Sequence, residues 1–180
     1  MKKTLILYCS NTGDTKKYAE DIASQVSADI FPLKKFKWKK IDDYDIVLFA
    51  GWIMGGEIKG LNDFLSHWDD DLKSKDVIVI GNGMGMATPE TRKRLIDQNL
   101  LDMYHIRFYQ FQGSFDMDRL NLTNKLRMKI SIKRLEADPN ATAAEKSITT
   151  IIDNPISYYD HAKVERVVEV IHTIEREAQA

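Results

Sequence analysis

An apolar run with no alternation, Thr4-Leu5-Ile6-Leu7-Tyr8-Cys9, leads directly into Ser10-Asn11-Thr12-Gly13-Asp14-Thr15. Behind that turn, Tyr18, Ala19, Ile22, Ala23 and Val26 recur at helical spacing. A run that is apolar at every position reads as a strand buried on both faces of a parallel sheet. The turn therefore joins a central strand to a helix, close to the start of the chain. A helix N-terminus offers unpaired backbone N–H groups and the positive end of the helix dipole, which favour an anion. Ser10, Thr12 and Thr15 add hydroxyl donors, and Gly13 lets a ligand approach the backbone. Capping the helix needs only one Ser, Thr, Asn or Asp. Three hydroxyls together read as a phosphate cradle.

At 180 residues the chain fits one domain spanning 1–180, and its 43% apolar content is enough for a real core. Net charge is −1, which gives no global field toward nucleic acid. Cys9 stands alone, so there is no disulfide framework and no thiolate metal site. His67, His105, His161 and His172 lie far apart and form no metal-ligand pattern. Met1-Lys2-Lys3 runs straight into the first strand and leaves no room for a signal peptide. No apolar run approaches the roughly 20 residues needed to span a bilayer. A soluble, cytoplasmic protein is expected.

Ala28 to Leu33 reads as a second strand, with Pro32 suited to a sheet edge. Lys34 to Lys40 is a solvated connector anchored by Phe36 and Trp38 rather than a nucleic-acid patch. Asp45 to Gly51 is a third, fully apolar strand, opening into a loop of Trp52, Ile53, Met54, Gly55, Gly56 and Glu57. Large apolar side chains at a loop tip have something to cover. A second helix carries Leu61, Phe64, Leu65, Trp68 and Leu72. Lys75 to Ile80 is the fourth strand, followed by the glycine- and methionine-rich Gly81-Asn82-Gly83-Met84-Gly85-Met86. Thr88-Pro89-Glu90-Thr91 starts a helix whose buried face is Leu95, Ile96 and Leu100. His105 to Gln112 is the fifth strand. Between about 114 and 159 lies an insertion. Leu120, Leu122, Leu126, Met128, Ile130 and Ile132 fall there at period 2 among Lys125, Arg127, Lys129 and Lys133, which suits a strand, while the composition allows a helix. Ala137 to Asn154 reads as loop and short helix. Asp160 can cap a last helix striped by Val164, Val167, Val168, Ile171 and Ile174.

Five strand–helix alternations make the class α/β, with a parallel sheet and helices on both faces. Ligands in such sheets sit beyond the carboxyl ends of the strands where the strand order reverses. Residues 10–15, 51–57 and 81–86 emerge there. One loop suits a phosphate and two offer apolar walls, a combination that describes a flavin mononucleotide. A phospho-acceptor receiver domain would need acidic residues where Cys9-Ser10 and Ala50-Gly51 stand.

Ser10 to Thr15 resembles the flavodoxin phosphate-loop pattern [ST]-x-T-G-x-T at every defined position. Over residues 1 to about 113 and the last helix, the chain is similar to that family. The resemblance implies a three-layer sandwich on a five-stranded parallel sheet of order 2-1-3-4-5, a strand order for which flavodoxin is a standard example. It implies FMN as cofactor. Ser10, Asn11, Thr12, Gly13, Asp14 and Thr15 would hold the phosphate. Gly51, Trp52, Ile53, Met54, Gly55 and Gly56 would line the ring on one side, with Asn82, Gly83, Met84, Gly85 and Met86 on the other. Met54 can take the stacking place instead of Trp52, and Met84 and Met86 stand where a tyrosine is often found. No residue is required as a general acid or base. The chain is also less acidic than a typical small flavodoxin.

The long basic insertion resembles that of the flavodoxin-type, menaquinone-dependent protoporphyrinogen dehydrogenases of bacteria, as does Gly60-Leu61-Asn62-Asp63-Phe64. That likeness makes residues 116–136 helical. It implies a quinone or a redox protein as partner, and peripheral membrane contact through about 119–134. The expected function is an FMN-dependent oxidoreductase. The alternatives are the porphyrinogen dehydrogenase, a single-electron carrier, and a flavin-free interaction module on the same sheet.

Overall fold

The computed structural model describes residues 2–114, 116–143, 146, 149 and 157–177. The chain runs β1 (Thr4–Cys9), α1 (Asp14–Val26), β2 (Asp29–Pro32), β3 (Ile46–Met54), β4 (Glu57–Ile58), α2 (Leu61–Leu65), β5 (Asp76–Gly83), α3 (Pro89–Gln98), β6 (Arg107–Gln112), α4 (Leu122–Ala137) and α5 (His161–Glu177). The sheet order is β2-β1-β3-β5-β6, with every neighbouring pair parallel. This is the expected 2-1-3-4-5 order of a flavodoxin-like α/β fold. The one addition is β4, which pairs antiparallel with the end of β3.

The unalternating strands are explained by a core on each side of the sheet. Leu5, Leu7, Val47, Phe49, Val77, Val79 and Phe108 face one layer, where Leu61, Phe64 and Leu95 of α2 and α3 cover them. Ile6, Ile46, Leu48, Ala50, Ile78, Ile80 and Phe111 face the other, under Tyr18, Ile22 and Val26 of α1 and Val164, Val167, Ile171 and Ile174 of α5. Both pleat directions are apolar because both are buried. Pro32 lies on the edge strand, where its missing N–H costs no ladder bond. Phe36 is buried and Trp38 packs against the same core, so the basic connector is pinned as expected.

Several elements depart from the sequence reading. Strands β3 and β5 run on through Met54 and Gly83, so the bases of both apolar loops are strand. Helix α2 stops at Leu65 and a π-type turn takes over at Trp68–Leu72. His67, at the break, stacks on Trp38 with ring centroids 3.6 Å apart. Helix α3 stops at Gln98; Leu100 has φ 54° and is exposed, and Leu101 supplies the buried contact instead. The insertion is helical at Met117–Arg119 and Leu122–Ala137, with Asn121 Oδ1 capping α4 by accepting from Asn124 N at 2.8 Å. Half of the loop and short helix expected over 137–154 lies outside the described residues. Asp160 caps α5 as expected, its carboxylate accepting from Lys163 N at 3.2 Å.

Tyr18 ties the insertion's return to the sheet. Its hydroxyl donates to the Gln112 carbonyl at 2.7 Å and accepts from Asp160 N at 2.8 Å, and its ring stacks on Tyr159 at 4.4 Å. Burial pushes the Tyr18 phenol up to about 12. Burial and the Asp29 carboxylate push Tyr44 to about 12 as well. A folded-state pKa raised above the unfolded value of about 10 stabilises the protein at all lower pH and loses that stability as pH rises. Unfolding free energy is therefore expected to fall between about pH 10 and 12. Chemical denaturation across that range measures it, and Tyr18→Phe is expected to flatten the slope.

Among the described residues no helix is long and apolar enough to cross a membrane.

Candidate functional site

The loop after β1 wraps the start of α1. Gly13 sits at the helix N-cap with φ 104°, a left-handed conformation that side chains disfavour, and a Cβ there would meet nothing within 4 Å. Among the described residues, the backbone N–H groups of 11–16 donate to no protein acceptor; the first bond of the helix runs from Lys17 N to the Gly13 carbonyl at 2.9 Å. Ser10 Oγ is buried without a partner. A buried hydroxyl without a partner costs on the order of 1–3 kcal/mol, which a ligand acceptor would recover. These donors converge at the positive end of a 13-residue helix. Such a set fits a dianion. Asp14 contributes its N–H, while its carboxylate, with Oδ2 buried without a partner, suits the helix dipole and repels an anion. Its carboxylate lies close enough to Tyr18 to raise that phenol.

The three expected loops do meet. Cys9 is in register with Gly51, Gly51 with Gly81, and Trp52 with Asn82, so the loops leave adjacent strand ends at the β1/β3 switch. Asn82 joins the first loop directly, its Nδ2 donating to Thr15 Oγ1 at 3.2 Å. Trp52 is half-buried beside Met54. Burial pushes the Cys9 thiol up, an effect the nearby Trp52 side chain partly offsets.

The second and third loops are held from outside the motif. Gly55 and Gly56, both at positive φ, form the two-residue turn of the β3–β4 hairpin. Asn99 anchors the hairpin, donating from Nδ2 to the Gly56 carbonyl at 2.8 Å and accepting from Ile58 N at 2.9 Å. The loop after β5 is strapped to β6. Gln112 Nε2 donates to the Met84 carbonyl at 3.3 Å, and buried Thr91 donates to the Met86 carbonyl at 2.9 Å.

A cavity of about 340 Å³ opens between these loops. Ile53, Met54, Gly55, Gly56, Gly83, Met84 and Gly85 line one side, and α3 and α4 the other. Ser10 to Thr15, Gly51, Trp52, Asn82 and Met86 lie outside its walls. Met86 is 52% exposed.

Sequence reasoning missed the cover. Leu120, Met128 and Ile132 of the insertion form a separate apolar cluster with Met54, against which Trp52, Met84 and Met117 pack. Asn124 Nδ2 donates to Asn11 Oδ1 at 3.2 Å, and the Arg119 guanidinium donates to the Thr12 carbonyl at 3.0 Å. Arg119 thus brings positive charge to the cradle. The available signal was a spacing of four, Leu120-Asn124-Met128-Ile132, hidden in the period-2 run.

Strand order and switch point define a flavodoxin-like α/β protein with unpaired backbone donors at one strand end and an apolar cleft beside it. The family model described as "Flavodoxin domain" matches residues 5–142, and the chain belongs to the flavodoxin family. None of the curated proteins compared with the chain matches it. Solved structures that resemble it include a flavoprotein from Bacteroides eggerthii, at 19% identity over 62% of this chain and 87% of the other, with a TM-score of 0.47. A flavoprotein in complex with FMN from Lactobacillus acidophilus shares 18% identity over 62% and 93%, with a TM-score of 0.43. Oxidised flavodoxin 2 from Bacillus cereus shares 18% identity over 76% and 99%, with a TM-score of 0.46.

Proposed function

We propose that the protein binds FMN and passes electrons through it as an oxidoreductase. The observation that carries this reading is the set of unpaired N–H groups at 11–16 beside the partnerless Ser10 hydroxyl, at a sheet switch point flanked by an apolar cleft. Residues Ser10 to Thr15 would hold the phosphate, with Arg119 adding charge at the lip. Gly51 to Gly56 and Gly83 to Met86 would hold the ring, and α4 would keep water from it. Bound there, the flavin supplies the redox chemistry, while the protein supplies position and electrostatics. A redox protein or a quinone would be the partner. The test is addition of FMN to purified protein. Quenching of flavin fluorescence that saturates at one equivalent is expected; unquenched fluorescence would remove the reading.

One observation favours the quinone-linked form of this reading, with a porphyrinogen as donor, as the insertion's resemblance implies. Helix α4 has a second apolar row facing outward: Leu122 is 85% exposed, Leu126 61% and Ile130 43%. Lys125, Arg127, Lys129, Lys133 and Arg134 share this helix with Glu136 as its sole acid. Exposed leucines among cations suit an anionic lipid surface. In sedimentation with anionic vesicles, Leu122→Glu with Leu126→Glu is expected to lose roughly tenfold or more in binding, since each leucine forfeits its burial. Equal binding of variant and parent, or no vesicle binding by the parent, contradicts the membrane contact and leaves a redox protein as partner.

A further inference from the structure

Asn82 stands out because no ring-lining role explains its position. It is 5% exposed, lies outside the walls of the cleft, and reaches Thr15, 67 positions away in sequence. Thr15 is itself only 2% exposed. Gly113 leaves the room for this contact, since a Cβ there would stand 2.7 Å from Asn82 Oδ1.

The direction of the hydrogen bond matters. A hydroxyl has one proton and two lone pairs. Asn82 Nδ2 donates to Thr15 Oγ1, so one lone pair of that oxygen is engaged and its proton stays free. With its proton not drawn to Asn82, Thr15 is left able to donate to a ligand bound at the unpaired N–H groups of 11–16. Turned the other way, the amide would present Oδ1 to Thr15 and draw the proton inward. In the observed orientation Asn82 Oδ1 is left buried without a partner.

We propose that Asn82 is a positioning residue for anion binding: its side-chain amide sets Thr15 as a donor to the phosphate, and it thereby selects the phosphorylated flavin over the unphosphorylated one. This rests on the FMN reading. It assigns Asn82 to the phosphate end, although the residue sits in the loop expected to meet the ring.

The test measures dissociation constants for FMN and riboflavin, by fluorescence quenching, in the parent, Asn82→Leu, Asn82→Asp, Thr15→Val and the Asn82→Leu/Thr15→Val pair. Asn82→Asp is isosteric and makes Thr15 donate inward, and a thermal melt beside the titration checks that the buried carboxylate leaves it folded. Thr15→Val is expected to weaken FMN roughly 10- to 100-fold, the loss of one hydrogen bond to a charged acceptor, and Asn82→Leu to weaken it less, because the Thr15 hydroxyl keeps its proton and loses only its orientation. Riboflavin affinity is expected to stay within about twofold, because it carries no phosphate to lose. The pair is expected to lose no more than Thr15→Val alone, because Asn82 acts through Thr15. Asn82→Asp is expected to lose FMN most, since it adds a negative charge near a dianion. Equal losses for both flavins, or additive losses in the pair, would overturn the proposal while leaving FMN binding intact. A parent that binds riboflavin as tightly as FMN would overturn the phosphate reading itself, and the proposal with it.

Discussion

Replacing Thr12 and Thr15 together by valine is expected to weaken FMN binding by about 3–6 kcal/mol, two hydrogen bonds to a charged acceptor at about 1.5–3 kcal/mol each. That is a loss of roughly 10²- to 10⁴-fold, which a quenching titration resolves. Valine keeps the shape and removes the hydroxyl, so the change is chemical rather than steric. Thr12 lies in the loop before α1 and costs the fold little. Thr15 is buried, and its loss leaves Asn82 Nδ2 without its acceptor, at about 1–3 kcal/mol of stability. A thermal melt beside the titration separates the two effects. Unchanged affinity in a folded double variant would place the phosphate elsewhere.

Phe49→Ala is expected to cost about 3–5 kcal/mol of folding stability, the usual range for emptying a buried phenylalanine site. Phe49 is fully buried in the middle of β3, in register with Leu7 and Val79, and its ring stacks on Phe64 at 4.9 Å. Strand β3 is bonded to β1 and β5, so the backbone around the void is fixed on both sides and cannot collapse into it. Urea unfolding measures the loss. A cost below about 1.5 kcal/mol would mean that this face of the sheet repacks freely, contrary to the core described above.

The layers were legible because burial on both faces leaves a simple mark. Ile6 and Leu7 point to opposite helix layers, yet both must be apolar, so β1, β3 and β5 read as continuous runs. The loop with the unpaired donors was legible because its residues and the helix start lie within a few consecutive positions. The cover was not. Helix α4 has Met128 and Ile132 turned to the cleft and Leu126 and Ile130 turned outward, and two apolar faces at helical spacing superpose into an apparent strand period. Only the family resemblance tipped that stretch toward helix. The contacts of Asn99 and Asn82 could not be found from sequence, because each reaches a loop remote in the chain: Asn99 to Gly56, Asn82 to Thr15. The short strand β4 was hidden for a different reason. Glu57-Ile58 carries no pattern of its own and pairs because the Gly55-Gly56 turn folds it back on β3. The end of α3 was overestimated because Leu100 continues the helical spacing after the backbone has turned to φ 54°.

The most direct test is a crystal structure of the protein soaked with FMN. The account predicts the phosphate within hydrogen-bond distance of the N–H groups of 11–16 and of the Ser10, Thr12 and Thr15 hydroxyls, with the ring between Trp52–Gly56 and Gly83–Met86. A phosphate bound anywhere else, with residues 10–15 unchanged and empty, would contradict it.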